Sequence, residues 1–344
     1  PPRSTQSRSS AASDVYKRQG NKSNLNAVGG MAMQIRDELQ DRAHIAVIIP
    51  CYNEEATIAE VVHESRIALP NAFVYVCDNH CTDDTAKLAL KAGARVIYEP
   101  HRGKGCAVAR LLKEVDADIY VMLDGDGTYP LAHVQNLIEA VASGRADMAV
   151  GARRLEDRRN SFRPFHRFGN ALVTGVINLI FRASLKDVMS GYRVFSRDFA
   201  RSLPLLSRGF EIETQMSIQA LYYQFRIVEY PVEMRDRPRH SPSKLRTFRD
   251  GTWVLLSIVN ALKAYRPLLF FSLLSAATGM VGTMLTAFAP SQADYFFMGG
   301  AFLLMAAIVL MACGIVLDTI NHRLRELGQL VTQRTAGGPA HPPK

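Results

Sequence analysis

The five cysteines of this chain (Cys51, Cys77, Cys81, Cys106 and Cys313) are odd in number and include no pair two residues apart. That excludes a disulfide framework, a zinc ribbon and a dithiol redox motif. Cys77 and Cys81 flank His80, but reduced thiols facing the cytosol are a plainer reading than a metal site. Residues 1–30 contain no apolar stretch long enough for a signal peptide. No nucleic-acid-binding motif accompanies the basic segments, so a nucleic-acid partner is not expected.

What is present is globular: 344 residues, 48% hydrophobic and 21% charged, enough for one or two domains. The net charge of +9 is unevenly spread. Arg3, Arg8, Lys17, Arg18 and Lys22 against Asp14 give the first 30 residues +4. That stretch is rich in Ser, Asn and Gly and reads as a disordered, non-native leader ahead of a start near Met31 or Met33. The remaining excess sits in "ARRLEDRRNSFRPFHR" (152–167) and "EMRDRPRHSPSKLRTFR" (233–249), each with six basic residues against two acids. Both are loop-like, and phosphate or anionic lipid is the partner their chemistry suits.

Two long uncharged runs lie near the C-terminus, "LLFFSLLSAATGMVGTMLTAFA" (268–289) and "FFMGGAFLLMAAIVLMACGIVL" (296–317), each longer than the ~20 residues that cross a bilayer. They predict two transmembrane helices joined by "PSQADY". Lys263 and Arg266 before the first, and His322, Arg323 and Arg325 after the second, place both outer flanks in the cytoplasm by the positive-inside rule. The preceding "LRTFRDGTWVLLSIVNALKAYRP" has Phe248, Trp253, Leu256, Val259 and Leu262 near helical spacing with cations between them, which predicts an interfacial amphipathic helix.

Residues 43–233 alternate short β-rich runs with helical ones. Strands are expected at 44–50, 72–78, 94–99, 118–124 and 147–152. Near-continuous apolar strands between helices imply a mostly parallel sheet covered on both faces. Ligands of such sheets bind at the carboxyl ends of the strands. Those ends carry Tyr52, Asn53 and Glu54, then Asp78, then Arg102 and Lys104, then Asp124 and Asp126.

The fourth strand ends in "MLDGDGTYP". A hairpin turn would use Asp-Gly, but the helical "LAHVQNLIEAV" that follows favours strand, loop, helix. A phosphatase loop of the DxDGT kind needs a later acidic pair, and Glu156 and Asp157 sit unsuitably in an arginine-rich loop. A third use is one hard divalent cation, Mg²⁺ or Mn²⁺, held by both carboxylates and completed by diphosphate oxygens. Such an ion stabilises a departing nucleoside diphosphate.

"VIIPCYNEEATI", "VCDNHCTDDTA", "RGKGCAVA", "MLDGDGTYP", "DVMSGYRVFSR", "GFEIETQM" and "SPSKL", in this order, resemble the family-two inverting glycosyltransferases of GT-A fold. More narrowly they are similar to polyprenyl-phosphate sugar synthases of the dolichyl-phosphate mannose synthase type. The resemblance covers about residues 44–250. It implies an α/β, Rossmann-like GT-A sheet at 41–233, after a disordered tail at 1–40. An active-site loop and juxtamembrane helix would follow at 234–266, two transmembrane helices at 267–318 and a cytoplasmic tail at 319–344.

Position by position, the resemblance implies that Pro50, Tyr52, Glu54 and Asp78 bind the donor nucleoside, with Lys104 beside the donor. Asp124 and Asp126 would hold the metal, and Gly125 would leave room for the nucleotide sugar. Thr128 stands where the family often has glutamine. Arg153, Arg167 and Arg193 occupy positions of phosphate-contacting cations, for which a planar guanidinium is well suited. Ser243 and Lys244 match a loop that closes over the pyrophosphate, although His240 replaces a usual glycine and Pro242 adds stiffness. An ionised phosphate acceptor needs no general base, whereas a hydroxyl acceptor would need Glu211 or Glu213. Asp187 and Ser190 read as shaping the acceptor loop.

The expected activity is transfer of a hexosyl group from a UDP- or GDP-sugar to a polyprenyl phosphate on the cytoplasmic leaflet, for cell-envelope glycan or glycoprotein synthesis. One alternative is a processive synthase, although the only tryptophan, Trp253, is not in a QxxRW motif. The other is a non-catalytic nucleotide-binding scaffold. Two spans per chain are compatible with homo-oligomers.

Overall fold

A computed structural model describes residues 43–153, 164–203, 212–235, 259–260, 262–288 and 294–336, with backbone alone at 164–168, 325 and 327–336. The expected strands form as β1 (Ile45–Cys51), β2 (Phe73–Asp78), β3 (Arg95–Tyr98), β4 (Ile119–Met122) and β5 (Met148–Arg153). Between them lie α1 (Ile58–Ala68), α2 (Thr85–Lys91), α3 (Lys104–Glu114) and α4 (Val134–Ala142). The chain continues through α5 (Pro164–Phe181), β6 (Arg193–Ser196), α6 (Arg197–Ser202), α7 (Ile212–Tyr222) and β7 (Ile227–Val232).

The seven strands lie in the order β3-β2-β1-β4-β6-β5-β7. β1 pairs in parallel with both β2 and β4, β2 with β3, and β5 with β7; only β6 runs antiparallel, between β4 and β5. All of β1 is buried, and its side chains alternate between two cores as a strand's two-residue period requires. Ile45, Val47, Ile49 and Cys51 pack with α1 and α4, whereas Ala46 and Ile48 pack with α3, α6 and α7. Each fully buried Ile contributes about 1.5–3 kcal/mol, so this register is strongly fixed. The strand order reverses between β1's two neighbours, which opens a crevice where the loops after β1 and β4 meet.

β6 and β7 extend the five expected strands. β6 has a particular consequence: it inserts the segment 187–192 beside the end of β4, with Met122 opposite Arg193 in the ladder.

At the C-terminus, α8 (Pro267–Ala287) and α9 (Asp294–Ala336) pack as an antiparallel pair. α8 and residues 294–324 of α9 are long and apolar enough to cross a membrane by length and composition. Their seam is made of small residues, which let helix backbones approach closely. A Cβ on Gly282 would lie 2.9 Å from the Gly300 carbonyl oxygen, and one on Gly314 would lie 2.8 Å from Phe271 Cβ. Ser275 Oγ donates across the seam to the Ala307 carbonyl at 2.7 Å. α9 continues unbroken to Ala336, into the segment expected as a tail. The foot of the pair rests on the α/β domain: Tyr265 packs on Tyr222 of α7 with centroids 4.8 Å apart, and Arg266 lies 5.6 Å over the Phe181 ring of α5. Of the expected interfacial helix, residues 259–260 and 262–265 are described and helical, with Val259 exposed; Phe248, Trp253 and Leu256 lie outside the described residues.

Candidate active site

Side chains tie together the loops at the carboxyl end of the sheet. Asn53, in left-handed backbone at φ 52°, accepts from Thr82 N at 2.8 Å and donates to Thr82 Oγ1 at 3.0 Å. Glu54 N donates to Thr85 Oγ1 at 2.8 Å, and Asp78 Oδ1 accepts from Cys81 N at 2.8 Å. The loops after β1 and β2 are thereby joined. Asn79, a buried residue the sequence did not single out, ties in the third: its amide donates to the His101 carbonyl at 2.6 Å and accepts from Gly103 N at 2.7 Å. The only clue was an amide directly after Asp78 at a strand end. Arg102 lies 5.2 Å over the Tyr52 ring, and Pro50 is buried in β1 opposite Cys77. Burial pushes the Cys77 thiol up to about 12 and the Cys81 thiol up to about 11, so both stay protonated and poor ligands at neutral pH.

The DGD loop after β4 is fixed at three points. Thr57 Oγ1 donates to the Gly125 carbonyl at 2.6 Å. Asp126 is buried, and its Oδ1 accepts from both Thr128 N at 3.1 Å and Thr128 Oγ1 at 2.6 Å. Thr128, where the family often has glutamine, thus orients Asp126 through a local turn. A Cβ on Gly125 would lie 2.6 Å from Cys51 Sγ. The close approach of Cys51 on β1 disfavours any side chain at Gly125. Thr57→Val leaves the Gly125 carbonyl without this donor. We expect a loss of about 1–3 kcal/mol, read as a lowered thermal midpoint together with weakened catalysis.

Lys104, at the start of α3, forms ion pairs with both Asp124 and Glu213. Glu213 is buried in the first turn of α7. Burial alone would lower the Lys104 pKa, but the charges and hydrogen bonds of Asp124 and Glu213 outweigh it and hold the ammonium above its usual range. The other oxygen of Asp124, Oδ2, faces Gly191, where a Cβ would be only 2.5 Å away. Glu211 lies outside the described residues.

Arg153 extends from the end of β5 to a bidentate pair with buried Asp187, Nε–Oδ2 at 2.6 Å and Nη2–Oδ1 at 2.8 Å. Burial would lower the Arg153 pKa, but the hydrogen bonds and charge of Asp187 keep it raised. Asn170 of α5 also donates to Asp187 at 3.3 Å. Ser190 Oγ donates to the Gly151 carbonyl at 2.6 Å, and Gly191 N donates to Tyr129 Oη at 3.1 Å. Asp187 and Ser190 hold the 187–192 segment against the crevice.

Arg193, expected to contact the acceptor phosphate, is buried within the sheet. It lies in the middle of the sheet, fully buried, and donates to the carbonyls of Ser190 at 2.8 Å and Val188 at 2.7 Å and to Ser217 Oγ at 3.0 Å. Strand parity turns it onto α7 and away from solvent, and burial depresses its pKa. It braces the 187–192 segment from beneath and does not face a ligand phosphate. Arg167 falls in the first turn of α5 with its side chain outside the described residues, and Ser243 and Lys244 lie outside them entirely. Asp124, Lys104 and Glu213 converge at one crevice, with Asp126 two residues along the same loop and the Arg153–Asp187 pair joined to it through the segment 187–192.

Comparison with known proteins matches this arrangement. The model of glycosyl transferase family 2 matches residues 46–203. "Glycosyltransferase AglJ" of Haloferax volcanii is 32% identical over 240 residues, covering 69% of this chain and 78% of that protein. A "dolichyl-phosphate hexose transferase" of the same organism is 27% identical over 216 residues, covering 62% of this chain and 92% of that protein. The crystal structure of glucosyl-3-phosphoglycerate synthase from Mycobacterium tuberculosis in complex with phosphoglyceric acid superposes with a TM-score of 0.53 at 25% identity, covering 65% of this chain and 82% of that one. The fold is that of a GT-A glycosyltransferase. The chain belongs to glycosyl transferase family 2.

Proposed function

We propose that this glycosyltransferase moves a hexosyl group, with inversion, from a UDP- or GDP-sugar to a polyprenyl phosphate at the cytoplasmic face of the inner membrane. One observation carries the reading. α7 begins in the crevice at Glu213 and ends at Tyr222, on which the foot of the apolar helix pair rests.

The carboxylates fit a divalent ion. Mg²⁺ and Mn²⁺ sites that serve diphosphates typically use one or two protein carboxylates and take further oxygens from substrate and water. Asp124 and Asp126 provide that number, and Thr128 orients Asp126. When bound, the ion would neutralise charge on the leaving diphosphate. Tyr52, Glu54 and Asp78, held by the Asn53 and Asn79 bonds, form the side on which a nucleoside fits. Arg153, fixed in place by Asp187, supplies a preorganised guanidinium toward an acceptor phosphate. A phosphate monoester is largely ionised near pH 7, with a second pKa of about 6, so positioning suffices and Glu213 remains engaged with Lys104.

Membrane placement is supported by the exposed cations Lys263, Arg266, His322 and Arg323 at the foot of the helix pair and by the exposed Leu172 and Leu179 on α5. The full chain in vesicles containing polyprenyl phosphate and Mg²⁺ or Mn²⁺ should transfer label from one of UDP-glucose, UDP-GlcNAc or GDP-mannose into the lipid fraction. Label that enters only water-soluble acceptors, or none at all with any donor, would refute the lipid acceptor.

A further inference from the structure

Asp124 meets the chain differently through its two carboxylate oxygens. Oδ2 is packed against Gly191, too close even for a methyl group there. Oδ1 is held by the Lys104 ammonium, which also holds Glu213. Asp126 gives its Oδ1 to Thr128. A divalent ion that takes Asp124 through Oδ1 therefore meets the Lys104 ammonium on the same oxygen. Two cations at contact distance on one oxygen repel strongly in a site this poorly solvated.

We propose that Lys104 competes with the metal for Asp124 and is drawn away by the donor's diphosphate, so that metal and nucleotide bind as a coupled pair. This inference rests on the metal reading given above. The chemistry of the lysine suits the exchange. An ammonium has three donors on a flexible stem. One can stay on Glu213 while another passes from Asp124 Oδ1 to a diphosphate oxygen. Glu213 is then a tether: it retains Lys104 in the crevice in both arrangements and keeps its charge compensated when the metal takes Asp124. Metal binding without nucleotide is penalised by the lysine, and nucleotide binding without metal leaves two aspartates facing a diphosphate. Lys104 is a positioning residue in this scheme, controlling which cation Asp124 receives.

The test is equilibrium binding of Mn²⁺ to the full chain, followed by the loss of the free ion's paramagnetic signal, alone and with UDP or GDP. Wild type should bind Mn²⁺ weakly alone and more tightly with one of the nucleotides. Lys104→Met should bind Mn²⁺ alone more tightly than wild type, by a factor in the roughly 5- to 150-fold range of coupled sites, and should lose most of the nucleotide dependence. Lys104→Met with Glu213→Gln removes both charges and should give the same gain without leaving a buried lone carboxylate. Unchanged or weaker Mn²⁺ binding in both variants, with wild-type circular dichroism, overturns the competition while leaving the metal reading intact. If wild type takes up no Mn²⁺ with either nucleotide, or if Asp126→Asn does not weaken it, the metal reading fails and the competition with it.

Discussion

Asp126→Asn is expected to reduce sugar transfer by on the order of 10²–10³-fold, the range seen when one fixed stabiliser of transition-state charge is removed, while leaving the fold intact. The asparagine carbonyl can still accept from Thr128 N and Oγ1, the two bonds that orient the native carboxylate. The substitution removes one negative charge from a buried position. The loss should fall mainly on kcat, because charge develops on the diphosphate oxygen only as the sugar departs. A thermal midpoint within a few degrees of wild type would separate this effect from unfolding. Retention of a third or more of wild-type kcat would rule Asp126 out as a metal ligand.

The largest stability effect is expected at Asp187. Asp187→Ala leaves the part-buried Arg153 guanidinium with neither of its two carboxylate contacts, and removes acceptors from Asn170 Nδ2 and Met189 N. Breaking one side of a buried pair costs roughly 3–5 kcal/mol. For a domain of this size that lowers the thermal midpoint by on the order of 10 °C. Adding Arg153→Met to the same chain should recover a good part of the loss, since a buried hydrophobe carries no uncompensated charge. If the double variant melts no higher than Asp187→Ala alone, the pair is not the source of the effect.

The five strands and four helices of the first half were legible because each apolar run is bounded by turn residues and flanked by an amphipathic helix. The family was legible through motifs at those strand ends. β6 was not, because "RVFS" sits inside "DVMSGYRVFSR", which reads as an acceptor loop rather than as a strand in the alternating strand and helix pattern. The same strand explains the different placement of Arg193. Its motif position drew attention to a cation, but parity in a strand is set by tertiary pairing, and Arg193 opposite Met122 points onto α7. β7, "IVEYPV", was obscured by Glu229 and Pro231. Lys104 was picked out as a residue near the donor; its bridge joins Asp124 to Glu213, far apart in the chain, a relation no local pattern encodes. Asn79 was overlooked for a related reason: its three partners lie on another loop, so its worth is visible only once β2 and β3 are side by side.

The eleven residues of α7 measure about 16 Å end to end at 1.5 Å per residue. For a helix pair that spans the bilayer, this buried helix acts as a ruler between the foot of the anchor and the crevice. Headgroup layers add only about 5–7 Å beyond the hydrocarbon on each side. A lipid phosphate therefore meets the crevice without leaving its leaflet only when the ruler leans toward the membrane plane. The tilt of the domain, as much as the identity of its side chains, then sets which acceptors are within reach.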